Sequence, residues 1–212
     1  MTDSLLPADQ HYSREDVEIL KCEPCFKGFF RMNRYHLRHK LFKGGWSEVM
    51  QREMFERGHA AAVIPYDPIR DQLVLLEQFR LGAFETKVDP WLLELVAGII
   101  EPGEEPIDVI HRETAEEAGL SLQNAEFALS FMVSPGGTTE RIHLFAGHID
   151  ASKAAGLHGL AAEGEDIRLH VVSREQAYQW VKEGRIDNAT TVIALQWLEL
   201  NHEALRARWV VS

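Results

Sequence analysis

Gly98-Ile99-Ile100-Glu101-Pro102-Gly103-Glu104, seven further residues, and then Arg112-Glu113-Thr114-Ala115-Glu116-Glu117-Ala118-Gly119-Leu120 form the stretch from which the rest of the chain is read. On a helix advancing about 100° per residue, Glu113, Glu116 and Glu117 fall at i, i+3 and i+4, so three carboxylates share one face. Ile107, Ile110, Thr114 and Ala118 line the opposite side and can seat the helix on a core. Like charges on one stripe destabilise an isolated helix by a few tenths of about 1 kcal/mol per pair, so something must compensate. The Arg112 fork can neutralise one carboxylate and a divalent cation the others. Hard carboxylate oxygens select Mg²⁺ or Mn²⁺, and a Mg²⁺ site leaves positions for water and substrate phosphates. Gly98 and Gly103 allow the turns that bring the loop beside the helix, where a loop carbonyl can complete the coordination. Glutamates at this spacing alone would equally describe a solvated acidic helix face; the residues around them set this stretch apart.

Outside it, residues 59–66, 72–79, 91–95, 125–134, 142–149 and 167–172 have the short apolar runs of strands. Helices are expected over 106–118, 174–183 and 188–205, the second with a Ser173/Gln176 capping box and a stop at Gly184. Strands and helices mixed with antiparallel-style turns indicate an α+β class: an α/β/α sandwich around a mixed sheet rather than a doubly wound one. Nearer the N-terminus, short strands are expected at 17–20, 29–32, 35–38 and 47–55, with Lys43-Gly44-Gly45 as a turn. That segment is small for independent stability. Two domains are therefore expected, a small antiparallel β-sheet domain over 1–57 and a larger one over 58–212.

Three other groups of residues suit the same chemistry. Ser134-Pro135-Gly136-Gly137-Thr138-Thr139-Glu140 is a glycine-rich loop whose backbone can approach a ligand, or an ordinary turn. Glu163-Gly164-Glu165-Asp166 can supply a general base and a further metal ligand, or be a solvated acidic loop. Arg52, Arg57 and Arg80, near strand ends, can clamp phosphates or ribose, or be surface arginines. Cys22 and Cys25 form a CxxC, and His36 and His39 an HxxH. Positions three apart on a strand point to opposite faces, so packed or exposed thiols are the preferred reading over a zinc site.

The chain has 212 residues, 45% of them hydrophobic, enough for a sizeable core plus an accessory piece. A formal net charge of −11 argues against tracking a nucleic-acid backbone or an anionic membrane. An anionic substrate is still compatible if metal ions carry the local positive charge. No apolar run reaches the roughly 18 residues of a membrane span. Met1-Thr2-Asp3-Ser4-Leu5-Leu6-Pro7 lacks the pattern of a secretion signal, and two cysteines exclude a disulfide framework. A cytoplasmic location is expected.

The glutamate stretch matches GX5EX7REUXEEXGU, where U is a bulky aliphatic residue, at Gly98, Glu104, Arg112, Glu113, Glu116, Glu117, Gly119 and Leu120, and departs from it at Thr114. This resembles the box of the Nudix hydrolases, which implies the Nudix fold and hydrolysis of a nucleoside diphosphate linked to another group. Pro135, 16 positions after Gly119, resembles the ADP-ribose pyrophosphatase subgroup. So do Phe55 to Ala60, Trp91 to Glu94, His158-Gly159-Leu160, Glu165 to Arg168 and the run from Ser173 through Trp197. The resemblance implies Mg²⁺-dependent cleavage of ADP-ribose to AMP and ribose 5-phosphate, with Mn²⁺ a plausible substitute. It also implies a homodimer in which the N-terminal sheet is exchanged between subunits. Carried over residue by residue, the Ala97 carbonyl, Glu113, Glu117 and Glu165 bind metal, and Glu163 is the catalytic base. Phe29 and Phe30 meet the adenine end, Arg52, Glu53 and Arg57 the substrate, and Arg80 the phosphates. Ser134, Pro135, Gly136 and Glu140 line the substrate. Gly98, Glu104, Arg112 and Glu116 support the box, Glu104 and Arg112 by holding the loop and orienting Glu113. The alternatives are a pyrophosphatase for another nucleoside diphosphate sugar such as GDP-mannose, and a non-catalytic ADP-ribose sensor.

Overall fold

The computed structural model describes residues 11–86, 89–160 and 164–210. The chain divides into two compact units, Met1–Arg57 with Ser134–Glu140, and Gly58–Val133 with Arg141–Ser212.

The first unit holds a three-stranded antiparallel sheet in the order β1 (Val17–Lys27), β2 (Arg31–His39), β3 (Met50–Glu56). The strands are longer than the sequence suggests. β1 runs on through Pro24 because register shifts between Ile19 and Lys21 and between Pro24 and Phe26 absorb the misfit. An edge strand also tolerates proline's missing donor. Phe29 and Phe30, expected in a strand, lie in the β1–β2 turn, where the Gly28 N–H donates to the Phe30 carbonyl at 2.9 Å. None of the described residues before Gly58 is buried, and Ile19, Leu20, Phe26, Phe42 and Val49 are exposed. The sheet has no core of its own. The 134–140 loop lies along the end of β3 through a Phe55–Thr138 bridge, with the Phe55 N–H donating to the Gly137 carbonyl at 2.8 Å.

The second unit contains β4 (Ala60–Asp67), β5 (Gln72–Phe79), α1 (Leu81–Phe84), β6 (Trp91–Glu94), β7 (Val96–Ile99) and α2 (Pro106–Ala118). Then follow β8 (Asn124–Met132), β9 (Arg141–His148), β10 (Leu157–His158), β11 (Ile167–Ser173), α3 (Arg174–Lys182) and α4 (Ala189–Trp209). One sheet runs β10-β11-β5-β4-β9-β8, with β6 on β5 and β7 on β4. It is mixed, since β4 and β9 pair parallel while the other pairings are antiparallel.

Every residue of β4 is buried, so its two faces feed two cores. Ala62, Ile64 and Tyr66 pack with Leu73 and Leu75 against Ala177 of α3 and Leu195, Leu198 and Leu205 of α4. Ala61 and Val63 pack with Val74 and Leu76 against Val109, Ile110 and Ala118 of α2. Helices thus cover both faces, the expected sandwich. α2 begins with Pro106 in its first turn and ends on Gly119 at φ 62°, the left-handed cap that glycine accepts without strain. Thr114 is fully buried, and its hydroxyl donates to the Ile110 carbonyl at 2.6 Å. Its departure from a bulky aliphatic is thereby absorbed, with the methyl packed and the hydroxyl satisfied. The Ser173 hydroxyl caps α3 by accepting from the Gln176 N–H at 3.1 Å.

Candidate active site

The site begins with two adjoining residues of β7. Ala97 and Gly98 pair with Ala62 and Ala61 of β4, and α2 packs over that face of the sheet. Gly98 has no side chain to hold α2 away. A Cβ built there would fall 1.8 Å from Glu113 Oε1 and 2.6 Å from its Cγ, so the Glu113 side chain lies directly on the glycine backbone. Glu117 follows on the next turn. Its carboxylate accepts the Ala97 N–H at 3.1 Å, and the residue is only 3% exposed.

Burial dominates the electrostatics of both acids. Loss of water pushes the Glu117 carboxyl up to about 8; the Ala97 N–H opposes this, and the charges of Glu113 and Glu165 add to it. Burial also raises Glu113, against the pull of Arg112 and with the push of Glu116 and Glu165. Arg112 loses water too, but the carboxylates around it hold it protonated above its ordinary range. Its Nη1 reaches Glu113 at 2.8 Å and Glu116 at 3.1 Å, and its Nε reaches Glu104 at 3.3 Å. Glu104 in turn accepts the Glu101 N–H at 3.0 Å, which ties the loop to the helix. Among the described residues, no cation forms an ion pair with Glu117, and the charge of Arg80 pulls its carboxyl down only as a minor influence.

Arg112→Gln is therefore expected to leave three carboxylates short of their counter-charge. The side chain of Arg112 is 38% exposed, so solvent screens much of the interaction. The expected loss is about 1 kcal/mol, larger in low salt than in high, read as a shift in the urea midpoint.

Glu165 shares this field, as its effect on Glu113 and Glu117 records, and its own carboxylate accepts the Leu160 N–H at 3.1 Å. Glu163 lies outside the described residues. Arg80 leaves the end of β5 and donates from Nε to Glu94 at 2.8 Å; Gln78 Nε2 donates to the same oxygen at 3.1 Å. From the sequence, Gln78 carries no assigned role, and Glu94 none beyond its place in the Trp91–Glu94 run. The available signal was Gln78 itself, a polar residue at a buried position in phase with Val74 and Leu76. Its partner Glu94 is set by cross-strand register, opposite Leu76, which a single strand does not reveal.

The residues are of the kind that hold a hard divalent cation. Two carboxylates rest on one backbone segment, one of them buried without a partner cation, and every donor is oxygen. Among the described residues no group of three or more His, Cys, Asp or Glu converges to hold an ion. Two carboxylates with backbone, water and phosphate oxygens complete a Mg²⁺ sphere in the usual way.

In the first unit, other expected residues gather. Phe30 packs edge-on against Phe29 (centroids 4.7 Å apart) and Phe55 (5.3 Å), and the Arg57 guanidinium lies 5.3 Å over Phe30. Arg57 Nε stands 3.3 Å from the buried Glu140 carboxylate, as an ion pair without hydrogen-bond alignment. The Ser134 carbonyl accepts from Gly137 and Thr138, both at 3.0 Å, so Pro135 and Gly136 project as an exposed turn. Arg52 and Glu53 do not act as a pair: strand alternation sends them to opposite faces, Glu53 to Arg34 at 2.8 Å and Arg52 to the Gln51 carbonyl at 2.7 Å. Cys22 and Cys25 are free and exposed on β1. His36 bonds Glu23 at 3.1 Å, while His39 Nδ1 meets the Lys40 carbonyl at 2.8 Å.

A model of the NUDIX domain matches residues 56–195. The ADP-ribose pyrophosphatase of Escherichia coli (strain K12) is 56% identical over 198 residues, 93% of this chain and 95% of that one. The ADP-ribose pyrophosphatase of Haemophilus influenzae is 53% identical over 203 residues, 94% of each chain. A crystal structure of an ADP compounds hydrolase superposes with a TM-score of 0.69 over 95% of this chain and 100% of that one, at 19% identity, which speaks for the fold alone.

Proposed function

Since the chain belongs to the Nudix family, we propose that it hydrolyses the pyrophosphate bond of ADP-ribose to AMP and ribose 5-phosphate, with Mg²⁺ as cofactor and Mn²⁺ as a substitute. The observation that carries the chemistry is the pair Glu113 and Glu117 seated on Ala97–Gly98, Glu113 sharing Arg112 with Glu104 and Glu116, and Glu117 buried with no ion pair among the described residues. The identity of the substrate rests on relatives named for it that match more than nine-tenths of the chain.

A diphosphate resists attack because its oxygens repel an incoming nucleophile. A divalent cation held by Glu113, Glu117 and the Ala97 carbonyl, with Glu165 joining, would withdraw charge from those oxygens. Arg80, fixed by Glu94, offers a second positive group to the phosphates. Phe30 and Arg57 offer a ring and a guanidinium to the adenine and the substrate. Water attacks the adenosyl phosphorus and its proton passes to Glu163. The bond from that phosphorus to the bridging oxygen breaks, and ribose 5-phosphate leaves. Burial of Glu117, and partial burial of Glu113, limits the water that competes for them.

The chain works as a homodimer that exchanges the N-terminal sheet. The support is a sheet with no buried residue and several exposed apolar side chains in and beside it, which needs cover from elsewhere. Two exposed free thiols suit a reducing cytoplasm.

A substrate panel tests the reading. With Mg²⁺, kcat/KM for ADP-ribose is expected to exceed that for GDP-mannose by more than about tenfold, and both are lost in EDTA. Preference for GDP-mannose would reassign the substrate, and binding of ADP-ribose without products would favour the sensor.

A further inference from the structure

Gly119 closes α2 in a left-handed turn, a conformation that asparagine also tolerates. Here the space matters as well as the angle. A Cβ at Gly119 would fall 2.6 Å from Cε1 and 3.2 Å from Nδ1 of His158, so the imidazole rests on the end of the glutamate helix where a side chain would be. The ring is held in that place. Its Nε2 donates to the Ala155 carbonyl at 2.8 Å, which leaves Nδ1 on the Gly119 side. The backbone of His158 pairs with Ile167, itself fully buried in the core beneath α2.

From His158 the contacts pass on toward the acids. Gly159 follows at φ 96°, and a Cβ there would fall 2.8 Å from Glu165 Cβ and 3.2 Å from its backbone. The Leu160 N–H donates to the Glu165 carboxylate at 3.1 Å, and the Glu165 N–H returns to the Leu160 carbonyl at 3.2 Å. Helix end, imidazole, glycine and Glu165 thus form one close-packed series. At its far end, the charge of Glu165 raises the carboxyls of both Glu113 and Glu117, although the three do not converge into one ion-holding group among the described residues.

We propose that His158 is a positioning residue for the reaction: its ring, lodged on Gly119, sets where Glu165 stands relative to Glu113 and Glu117. This rests on the reading of those glutamates as metal ligands. No hydrogen bond or ion pair joins the ring to any of the three carboxylates among the described residues, so it acts through Gly159 and the end of α2. The glycine of the box then has two duties, to turn the backbone and to make room for the imidazole.

The test uses the full-length protein and Mn²⁺ as the probe, with free Mn²⁺ followed by electron paramagnetic resonance alongside ADP-ribose kinetics. His158→Ala is expected to weaken Mn²⁺ binding and raise the Mg²⁺ needed for half-maximal rate, each by about tenfold. KM for ADP-ribose at saturating Mg²⁺ changes less than about twofold. His158→Gln, which keeps a donor near the position of Nε2, restores most of both. Gly119→Ala lowers Tm in the wild type and lowers it less in the His158→Ala background, because the ring that the new methyl strikes is gone. Wild-type Mn²⁺ affinity in His158→Ala, at any Tm, overturns the proposal and leaves the metal reading standing. A wild-type protein that binds no Mn²⁺ overturns both.

Discussion

Glu117→Gln is expected to reduce kcat for ADP-ribose by about a thousandfold or more, while the metal-free variant is more stable than the wild type at pH 8. The two effects share one cause. Glu117 is 3% exposed, and burial raises its carboxyl to about 8. The folded protein therefore holds this proton more tightly than the unfolded chain does. That contribution to stability is fully present below the ordinary carboxylate range and is lost as pH rises through about 8. At pH 8, without metal, the wild type has lost on the order of 3 kcal/mol that glutamine, which cannot ionise, retains. The amide oxygen can still accept the Ala97 N–H, so the fold keeps its seat. Thermal unfolding in EDTA at pH 5 and pH 8 checks this: the two proteins differ little at pH 5, and the variant melts higher at pH 8. Added Mg²⁺ raises the wild type and leaves the variant where it was. A variant that unfolds earlier than the wild type at both pH values would show that the carboxylate is structural.

Gly98→Ala is expected to lower kcat/KM by about a hundredfold or more, with a fall in Tm of only a few degrees, about 1 kcal/mol. Gly98 does not occupy the left-handed region, so its backbone accepts alanine. The new methyl falls 1.8 Å from Glu113 Oε1 and 2.6 Å from Cγ, and the flexible glutamate swings away rather than the strand moving. Stability therefore suffers little and the carboxylate is lost from its place. Gly103→Ala is the control. Gly103 sits at φ 95° with nothing within 4 Å of a built Cβ, so alanine there strains the backbone and strikes no carboxylate. It should cost about 1 kcal/mol of stability and leave kcat/KM within a few-fold of wild type. Circular dichroism melts beside ADP-ribose kinetics separate the two outcomes. Equal activity losses in both variants would mean that Glu113 does not need its seat on Gly98.

The box helix was legible because its information is local. Spacing places Glu113, Glu116 and Glu117 on one face, Pro106 and Gly119 mark its ends, and the structure gives those bounds. β4 and β5 were legible from their apolar runs. β7 was not, since Val96–Ile99 follows β6 after a single residue and reads as its continuation. β1 was read short because register shifts let a strand pass through Pro24, and such shifts exist only against a partner. The burial of Glu117 was likewise hidden. Helical spacing says which residues share a face, and the depth at which α2 lies on β7 says which of them loses its water. The Arg80–Glu94–Gln78 cluster and the seat of His158 on Gly119 join residues from different strands and helices, so no single segment announces them.

The central claim is that a hard cation sits with Glu113 and Glu117 and draws charge from a bound diphosphate. Crystals grown with Mn²⁺ and a non-hydrolysable ADP-ribose analogue, measured at the manganese edge, test it most directly. An anomalous peak against both carboxylates and the Ala97 carbonyl, shared with a phosphate oxygen, is the predicted result. A bound analogue with no anomalous peak beside Glu113 and Glu117 would contradict it.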